Sequence, residues 1–120
     1  MTKQEYLRST NRFAIDQNKL QTIYAIYAGR FPEALERIIS GSNESVFFDD
    51  DDMRILSFAE MVDAEQDLHI DFKSKKLMPI ADCGDNDFIV YDYANNVWAK
   101  FNIVDETIFM KRAELGELLK

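Results

Sequence analysis

Residues 77–92 read Leu77-Met78-Pro79-Ile80-Ala81-Asp82-Cys83-Gly84-Asp85-Asn86-Asp87-Phe88-Ile89-Val90-Tyr91-Asp92. Two apolar runs, Leu77 to Ala81 and Phe88 to Tyr93, have the length and composition of short strands. The segment between them, Asp82 to Asp87, contains aspartate, asparagine and glycine, which favour tight turns. These residues predict two strands joined by a turn, and the neighbouring segments extend this unit in both directions.

The chain after this hairpin is also rich in predicted strands. Val97 to Ile103 and Thr107 to Met110 are separated by turn-forming residues, as in an antiparallel meander. Trp98, Lys100 and Asn102 alternate with more apolar neighbours, which predicts a sheet with one buried face and one wet face. A short closing helix is predicted from four apolar residues, Ala113, Leu115, Leu118 and Leu119.

The segment before the hairpin predicts two short strands and a helix. Ser45 to Phe48 and Met53 to Leu56 flank the acidic run Asp49 to Asp52, whose mutual repulsion favours a solvated loop. Ser57 and Glu60 have the spacing of a capping box, in which each side chain accepts a backbone hydrogen bond at the helix start. A helix is therefore expected to begin just after Ser57.

The first third of the chain has helical spacing. One apolar stripe is ended by Gly29, Pro32 begins the next helix, and Gly41 ends that helix. The stripe consists of Leu20, Ile23, Tyr24 and Tyr27, and an earlier helix is indicated by Tyr6, Leu7, Phe13 and Ile15. Helices followed by a mostly antiparallel sheet and a short C-terminal helix predict an α+β fold, with residues 1–120 as a single domain.

Composition excludes several classes of function. The 120 residues carry 14 Lys and Arg against 22 Asp and Glu, a formal charge of -8 at pH 7. Neither nucleic acid nor an anionic membrane surface is expected as a partner, because both are bound mainly through basic residues. An internal disulfide is excluded, because Cys83 is the single cysteine. The N-terminal residues do not have the apolar run of a secretory leader, so a cytoplasmic location is expected.

Two acidic clusters are the candidate binding residues. The residues are Asp49, Asp50, Asp51 and Asp52 in the first cluster and Asp82, Asp85 and Asp87 in the second. The first lacks the glycine and the following glutamate of a calcium loop, so a solvated loop is favoured over a metal site. The second is also compatible with an ion site, but aspartates in a tight turn commonly accept hydrogen bonds from their own backbone, so a turn is favoured.

Catalytic and cofactor signals are weak. His69 is the only histidine, and its flanking residues alternate as in an exposed strand edge or loop, which favours a surface role over general base catalysis. One histidine and one cysteine cannot complete an ordinary zinc site. We therefore expect no enzyme activity, no metal and no cofactor.

Core packing is expected for the aromatic residues Tyr91, Tyr93, Trp98 and Phe101, although any that emerge beside the acidic loops could anchor a basic partner.

Three segments resemble the SUKH superfamily, which includes yeast cell-wall regulators of the Smi and Knr type, the bacterial Syd protein and many bacterial immunity proteins. Phe31 to Ile39 is similar to its Pro-Glu helix entry, and Ile55 to Met61 to its strand leading into a capped helix. The strongest likeness is Leu77 to Asp92, which resembles a Leu-Ile-Pro-Ile-Ala strand, a Gly-Asp turn and a second strand ending in Asp. The resemblance implies an α+β protein-binding domain without catalytic residues.

The resemblance and the negative charge together suggest an immunity protein that binds and neutralises a basic toxin domain of the nuclease or deaminase type. The acidic residues would then steer the basic partner. A monomer or weak dimer is expected. The alternative is a regulatory or scaffold module that binds another cellular protein, and a carboxylate- or metal-dependent hydrolase is the third hypothesis.

Overall fold

A computed structural model describes all 120 residues, from Met1 to Lys120, as a mixed α+β fold. The helices are α1 (Lys3–Thr10), α2 (Gln17–Ile26), α3 (Glu33–Ser40), α4 (Phe58–Leu68) and α5 (Phe72–Lys75). The strands are β1 (Val46–Phe47), β2 (Arg54–Ile55), β3 (Leu77–Gly84), β4 (Asp87–Asp92), β5 (Val97–Asn102) and β6 (Ile108–Arg112). The predicted fold class is confirmed, and the C-terminal helix is a single 3-10 turn, Leu115–Glu117.

The six strands form one antiparallel sheet in sequence order, so β1 and β6 are its two edges. The only long connection is between β2 and β3, where α4 and α5 are inserted. The longest helix, α4, has 11 residues, and no helix is long and apolar enough to cross a membrane.

The turn between β3 and β4 has the geometry that its sequence predicts. Gly84 pairs with Asp87, which leaves Asp85 and Asn86 as the two loop residues. Both have positive φ angles, 54° and 66°. This is the pattern of a type I′ hairpin turn, whose twist matches that of the strands and which asparagine and aspartate tolerate better than most residues.

Strand β4 is buried on both faces, and Trp98 on the predicted wet face of β5 is buried too, so the prediction of one wet face is wrong there. Lys100 and Asn102 on that face are half-buried. Directly paired residues share a face, and Phe88 with Phe101 therefore lies on the side opposite Tyr91 with Trp98. All four are buried, including Trp98, which is only 3% exposed. Phe72 of α5 packs against Phe101, with ring centroids 5.9 Å apart. On the opposite face, the ring of Phe31 from outside the sheet packs 6.2 Å from the ring of Tyr91, a contact that the alternation within β5 could not reveal.

The boundaries of α3 and the start of α4 follow the predicted signals closely. Ser57 and Glu60 form the predicted capping box at the start of α4, with N–H donor to oxygen distances of 3.2 and 3.0 Å. Pro32 is the N-cap of α3, one residue before the predicted position, and Gly41 is the C-cap of the same helix. The one-residue difference at Pro32 is within the range by which assignments of helix ends normally differ.

Gly29 does not end α2, contrary to the prediction. The helix stops at Ile26 with Tyr27 as its C-cap, and Gly29 lies two residues further along. A Cβ atom at Gly29 would overlap the ring of Tyr93, which in turn packs 5.5 Å from the ring of Phe31. Gly29 is therefore required for close packing of the chain against β4 and its following turn, and not for a helix cap.

We expect Gly29→Ala to lower the free energy of unfolding by about 1–3 kcal/mol, because the added methyl group must displace the Tyr93 ring. The matched control is Gly116→Ala, where the nearest atom to the new Cβ is a Leu7 side-chain carbon at an ordinary 3.8 Å. Denaturant unfolding of both variants measures the difference. Equal stability of the two variants would show that the Tyr93 ring moves without cost.

Candidate functional site

The sheet register brings the two acidic clusters to the same end of the molecule. Arg54 pairs with Asp82, and Ile55 pairs with Ala81. Because β2 and β3 are antiparallel, the loop before β2 and the turn after β3 lie side by side. We call this surface the acidic end and define it by all seven predicted residues, Asp49, Asp50, Asp51, Asp52, Asp82, Asp85 and Asp87.

Three aspartates of the first cluster are engaged with the N-terminal segment. Asp49 pairs with the Met1 amino group, and Asp50 accepts a hydrogen bond from the Lys3 backbone N–H at 3.1 Å. Asp51 pairs with Lys3 Nζ at 2.8 Å and also accepts from the Met53 N–H at 3.1 Å. The loop is exposed as predicted, but these contacts give it a structural role that sequence reasoning missed.

The Lys3–Asp51 contact is asymmetric in its exposure. The Lys3 side chain is only 10% exposed and also donates to the Lys120 carbonyl at 2.8 Å, whereas the Asp51 side chain is 38% exposed. The hydrogen bond from Lys3 is the largest cause that lowers the pKa of Asp51 below its usual value. The buried ammonium group therefore holds together α1, the acidic loop and the last residue of the chain.

The second cluster is divided between turn formation and free carboxylates. Asp82 Oδ1 accepts from the Gly84 N–H at 2.9 Å, and Asp87 Oδ1 accepts from the Asn102 side-chain amide at 2.8 Å. The first bond forms within the predicted turn segment, and the second joins β4 to β5. Asp85 and Asp52 are exposed and make no hydrogen bond or ion pair, so they are the free charges of the acidic end. No group of three or more acidic, histidine or cysteine side chains could hold a metal ion.

A small pocket lies beside the acidic end, between α4 and the sheet. Its floor is apolar, its rim is charged, and its volume is about 70 Å³. The floor residues are Leu56, Ala64, Leu68 and Phe88, and the rim residues are Arg54, Glu60, Asp67 and Asp82. We call this cavity the Arg54 pocket. Of its rim, only Asp82 is a predicted binding residue, because contacts between α4 and the sheet leave no pattern in the sequence.

The rim is organised by a forked ion pair. Arg54 Nη1 and Nη2 both lie 2.7 Å from carboxylate oxygens of Glu60, whereas the distance from Nη2 to Asp82 Oδ2 is 3.7 Å. Glu60 also accepts from Ser45 Oγ at 2.7 Å. The hydrogen bond from Arg54 is the largest cause that lowers the pKa of Glu60 to about 2. Glu60 is therefore ionised throughout the physiological pH range.

Cys83 is half-buried in β3, and His69 is exposed at the end of α4. Burial raises the pKa of the Cys83 thiol to about 11, so the thiol remains protonated at neutral pH and is a poor nucleophile. His69 is exposed and ends α4 with a left-handed backbone, φ 57°. Tyr91, Trp98 and Phe101 are core residues, as predicted, and Tyr93 is half-buried.

The chain matches no protein-family model, no curated protein and no solved structure. The resemblance of three segments to the SUKH superfamily, and the function that it implies, therefore stay predictions.

We expect Lys3→Met to lower the free energy of unfolding by about 1–2 kcal/mol, because it removes charged hydrogen bonds to Asp51 and to the Lys120 carbonyl. Amide hydrogen exchange of residues 49–53 should become faster in the same variant. Lys111→Met is the control, since Lys111 is exposed and its side chain has no ion pair. Unchanged exchange in Lys3→Met would mean that the loop is ordered without this contact.

Glu60 should make stability depend on pH in the acid range. Its folded-state pKa of about 2 lies below the usual 4.5, so its contribution is complete above pH 4.5 and is lost as the pH falls towards 2. We expect Glu60→Gln to cost about 1–2 kcal/mol at pH 7, a figure reduced for solvent screening because the side chain is 33% exposed.

Unfolding free energies of Glu60→Gln and the unmodified protein, measured between pH 2 and pH 7, test this expectation. The difference between them should shrink steadily below about pH 4.5. Asp63→Asn, an exposed position on the same helix without an ion pair, should give a small and nearly constant difference. A Glu60→Gln difference that stays constant down to pH 2 would contradict the role given to the ion pair.

Proposed function

We propose that the protein is a non-enzymatic binding domain of the immunity type, which binds and neutralises a basic toxin domain such as a nuclease or deaminase. The observation that carries this proposal is the acidic end, where separate segments of the chain place seven aspartates on one end of the sheet. Basic proteins are attracted to such a surface over several ångströms, which speeds their capture.

Electrostatic attraction at the acidic end depends on charges that the fold leaves uncompensated. Asp52 and Asp85 are exposed and unpaired, and the nearby Asp50 accepts only a backbone hydrogen bond. The Met1 amino group and Lys3 compensate Asp49 and Asp51, whereas Arg54 pairs with Glu60 and lies 3.7 Å from Asp82. The surface therefore retains a net negative charge after its internal ion pairs are counted, as binding to a basic partner requires.

A regulatory or scaffold module is the second candidate, and the exposed apolar residues near the β6 edge favour it. Val104 is 73% exposed, Ile108 is 38% exposed and Met110 is 42% exposed. An edge strand also offers unpaired backbone groups to another chain. Such a surface suits a partner that is recognised by shape and apolar contact, without a requirement for positive charge.

Co-expression with a candidate basic toxin domain from a neighbouring gene, followed by pull-down and a growth assay, tests the leading proposal. We expect the double variant Asp52→Asn and Asp85→Asn to bind the toxin about 5–10-fold more weakly at low salt, because two free charges are lost. The difference should narrow as salt is added, since exposed charges are screened. Glu114→Gln is the control, at an exposed and unpaired residue just after β6.

The possible outcomes test both the immunity proposal and the surface assigned to it. Absence of both binding and growth rescue with the unmodified protein would refute the immunity proposal. Toxin binding that is unaffected by the double aspartate variant but lost in Ile108→Asp would keep the immunity proposal and move the contact from the acidic end to the β6 edge.

A further inference from the structure

We infer that the Arg54 pocket receives one long basic side chain, an arginine or a lysine, from the protein partner. The inference rests on the proposed function, since it assigns a recognition point beside the proposed binding surface, with which the pocket shares Asp82. The evidence for the site is a cavity with an apolar floor, in addition to the acidic residues at its rim.

The size of the pocket matches a single side chain. A space of about 70 Å³ holds about five water molecules, if each needs roughly 10–15 Å³ of this volume. That is too little for a folded element or a nucleotide, but it is comparable to one extended arginine or lysine. The pocket is open to the surface, so a side chain can enter without rearrangement of the fold.

The lining of the pocket matches the two chemically different parts of such a side chain. Ala64 and Phe88 are buried floor residues, and Leu56 and Leu68 complete the apolar surface. Lysine and arginine carry aliphatic stems that pack on apolar surfaces while the charged group remains near water. The stem would therefore lie on the floor, and the cationic group would lie at the rim.

The charge of the rim favours a cation over a neutral or acidic group. Three carboxylates face one guanidinium, which leaves an excess of two negative charges. Arg54 directs both terminal nitrogens to Glu60, so its own charge is already satisfied. Asp67 makes no hydrogen bond or ion pair, and Asp82 Oδ2 has only the 3.7 Å contact with Arg54. These two carboxylates remain available to an incoming cation.

The pocket is also held in a defined shape before any partner binds. Glu60 is fixed by Arg54, by Ser45 and by the Ser57 N–H at 3.0 Å, so the rim is not free to collapse. Asp82 is fixed by its bond to the Gly84 N–H. A preformed pocket loses little conformational entropy on binding, which favours the use of this cavity as an anchor.

Nuclear magnetic resonance titration of the purified protein with short capped peptides tests the inference. The probes are N-acetyl-Gly-X-Gly-amide, with arginine, lysine, citrulline or norleucine as X. We expect the arginine or lysine peptide to bind with roughly millimolar affinity and to shift the amide signals of Leu56, Ala64, Leu68 and Phe88. Citrulline and norleucine, which lack the positive charge, should cause at most one-fifth of these shifts.

Two variants on the same helix provide the matched comparison. Asp67→Asn should weaken binding of the basic peptide about 2–5-fold, the range for one exposed charge, and Asp63→Asn should leave it unchanged. Both positions are exposed and unpaired, so both variants are expected to fold. An equal effect of the two variants would show that only the general charge of the protein attracts the peptide, and would overturn the inference.

The inference and the proposed function fail in different ways. If neither basic peptide at 20 mM, on the order of ten times the expected dissociation constant, shifts the amide signals of the pocket, the pocket assignment is overturned even if the toxin binds. Conversely, pocket shifts without any toxin binding would support the pocket and refute the immunity proposal. Equal shifts by norleucine and the basic peptides would assign the cavity to apolar groups and also overturn the inference.

Discussion

The ion pair between Arg54 and Glu60 joins strand β2 to the helix that follows it, across only six residues of sequence. Arg54 belongs to β2, and Glu60 lies in the first turn of α4, where it also closes the capping box with Ser57. The Arg54 side chain further donates to Ser45, just before β1. The ion pair therefore fixes the start of α4 against the sheet. Both charged groups are half-buried, so removal of either one would leave a partly buried charge without its main partner, which is costly.

Much of the fold could be predicted because its signals are local. Ser57 and Glu60 are three residues apart, and the turn residues Asp85 and Asn86 determine their own backbone conformation. The error at Trp98 has a different origin. Alternation in β5 distinguishes the two faces of a strand, but it does not show whether another element covers the second face. Phe31 packs against Tyr91, the strand partner of Trp98. This is a tertiary contact between residues far apart in sequence, so the pattern within β5 cannot indicate it.

The candidate site was less predictable than the fold, because its properties depend on distant contacts. The sequence identified the aspartates but could not show that Lys3 binds Asp51, 48 residues away. It also could not show that Asp67 lines a cavity with Asp82, since one residue lies on a helix and the other on a strand. From the sequence alone, nothing distinguishes the seven aspartates from one another. The fold shows that some are held by hydrogen bonds or ion pairs, whereas Asp52 and Asp85 have no partner.

This division has consequences for how the protein could recognise a partner. Exposed charges such as Asp52 and Asp85 act at long range and mainly affect the rate of encounter, and salt weakens them. A pocket that encloses a basic side chain acts only after contact and mainly affects the rate of dissociation. Because the Arg54 pocket opens beside the acidic end, a basic partner of the proposed kind, drawn to Asp82 and its neighbours, would arrive where a single side chain can enter. Attraction and discrimination would then depend on different residues of the same surface.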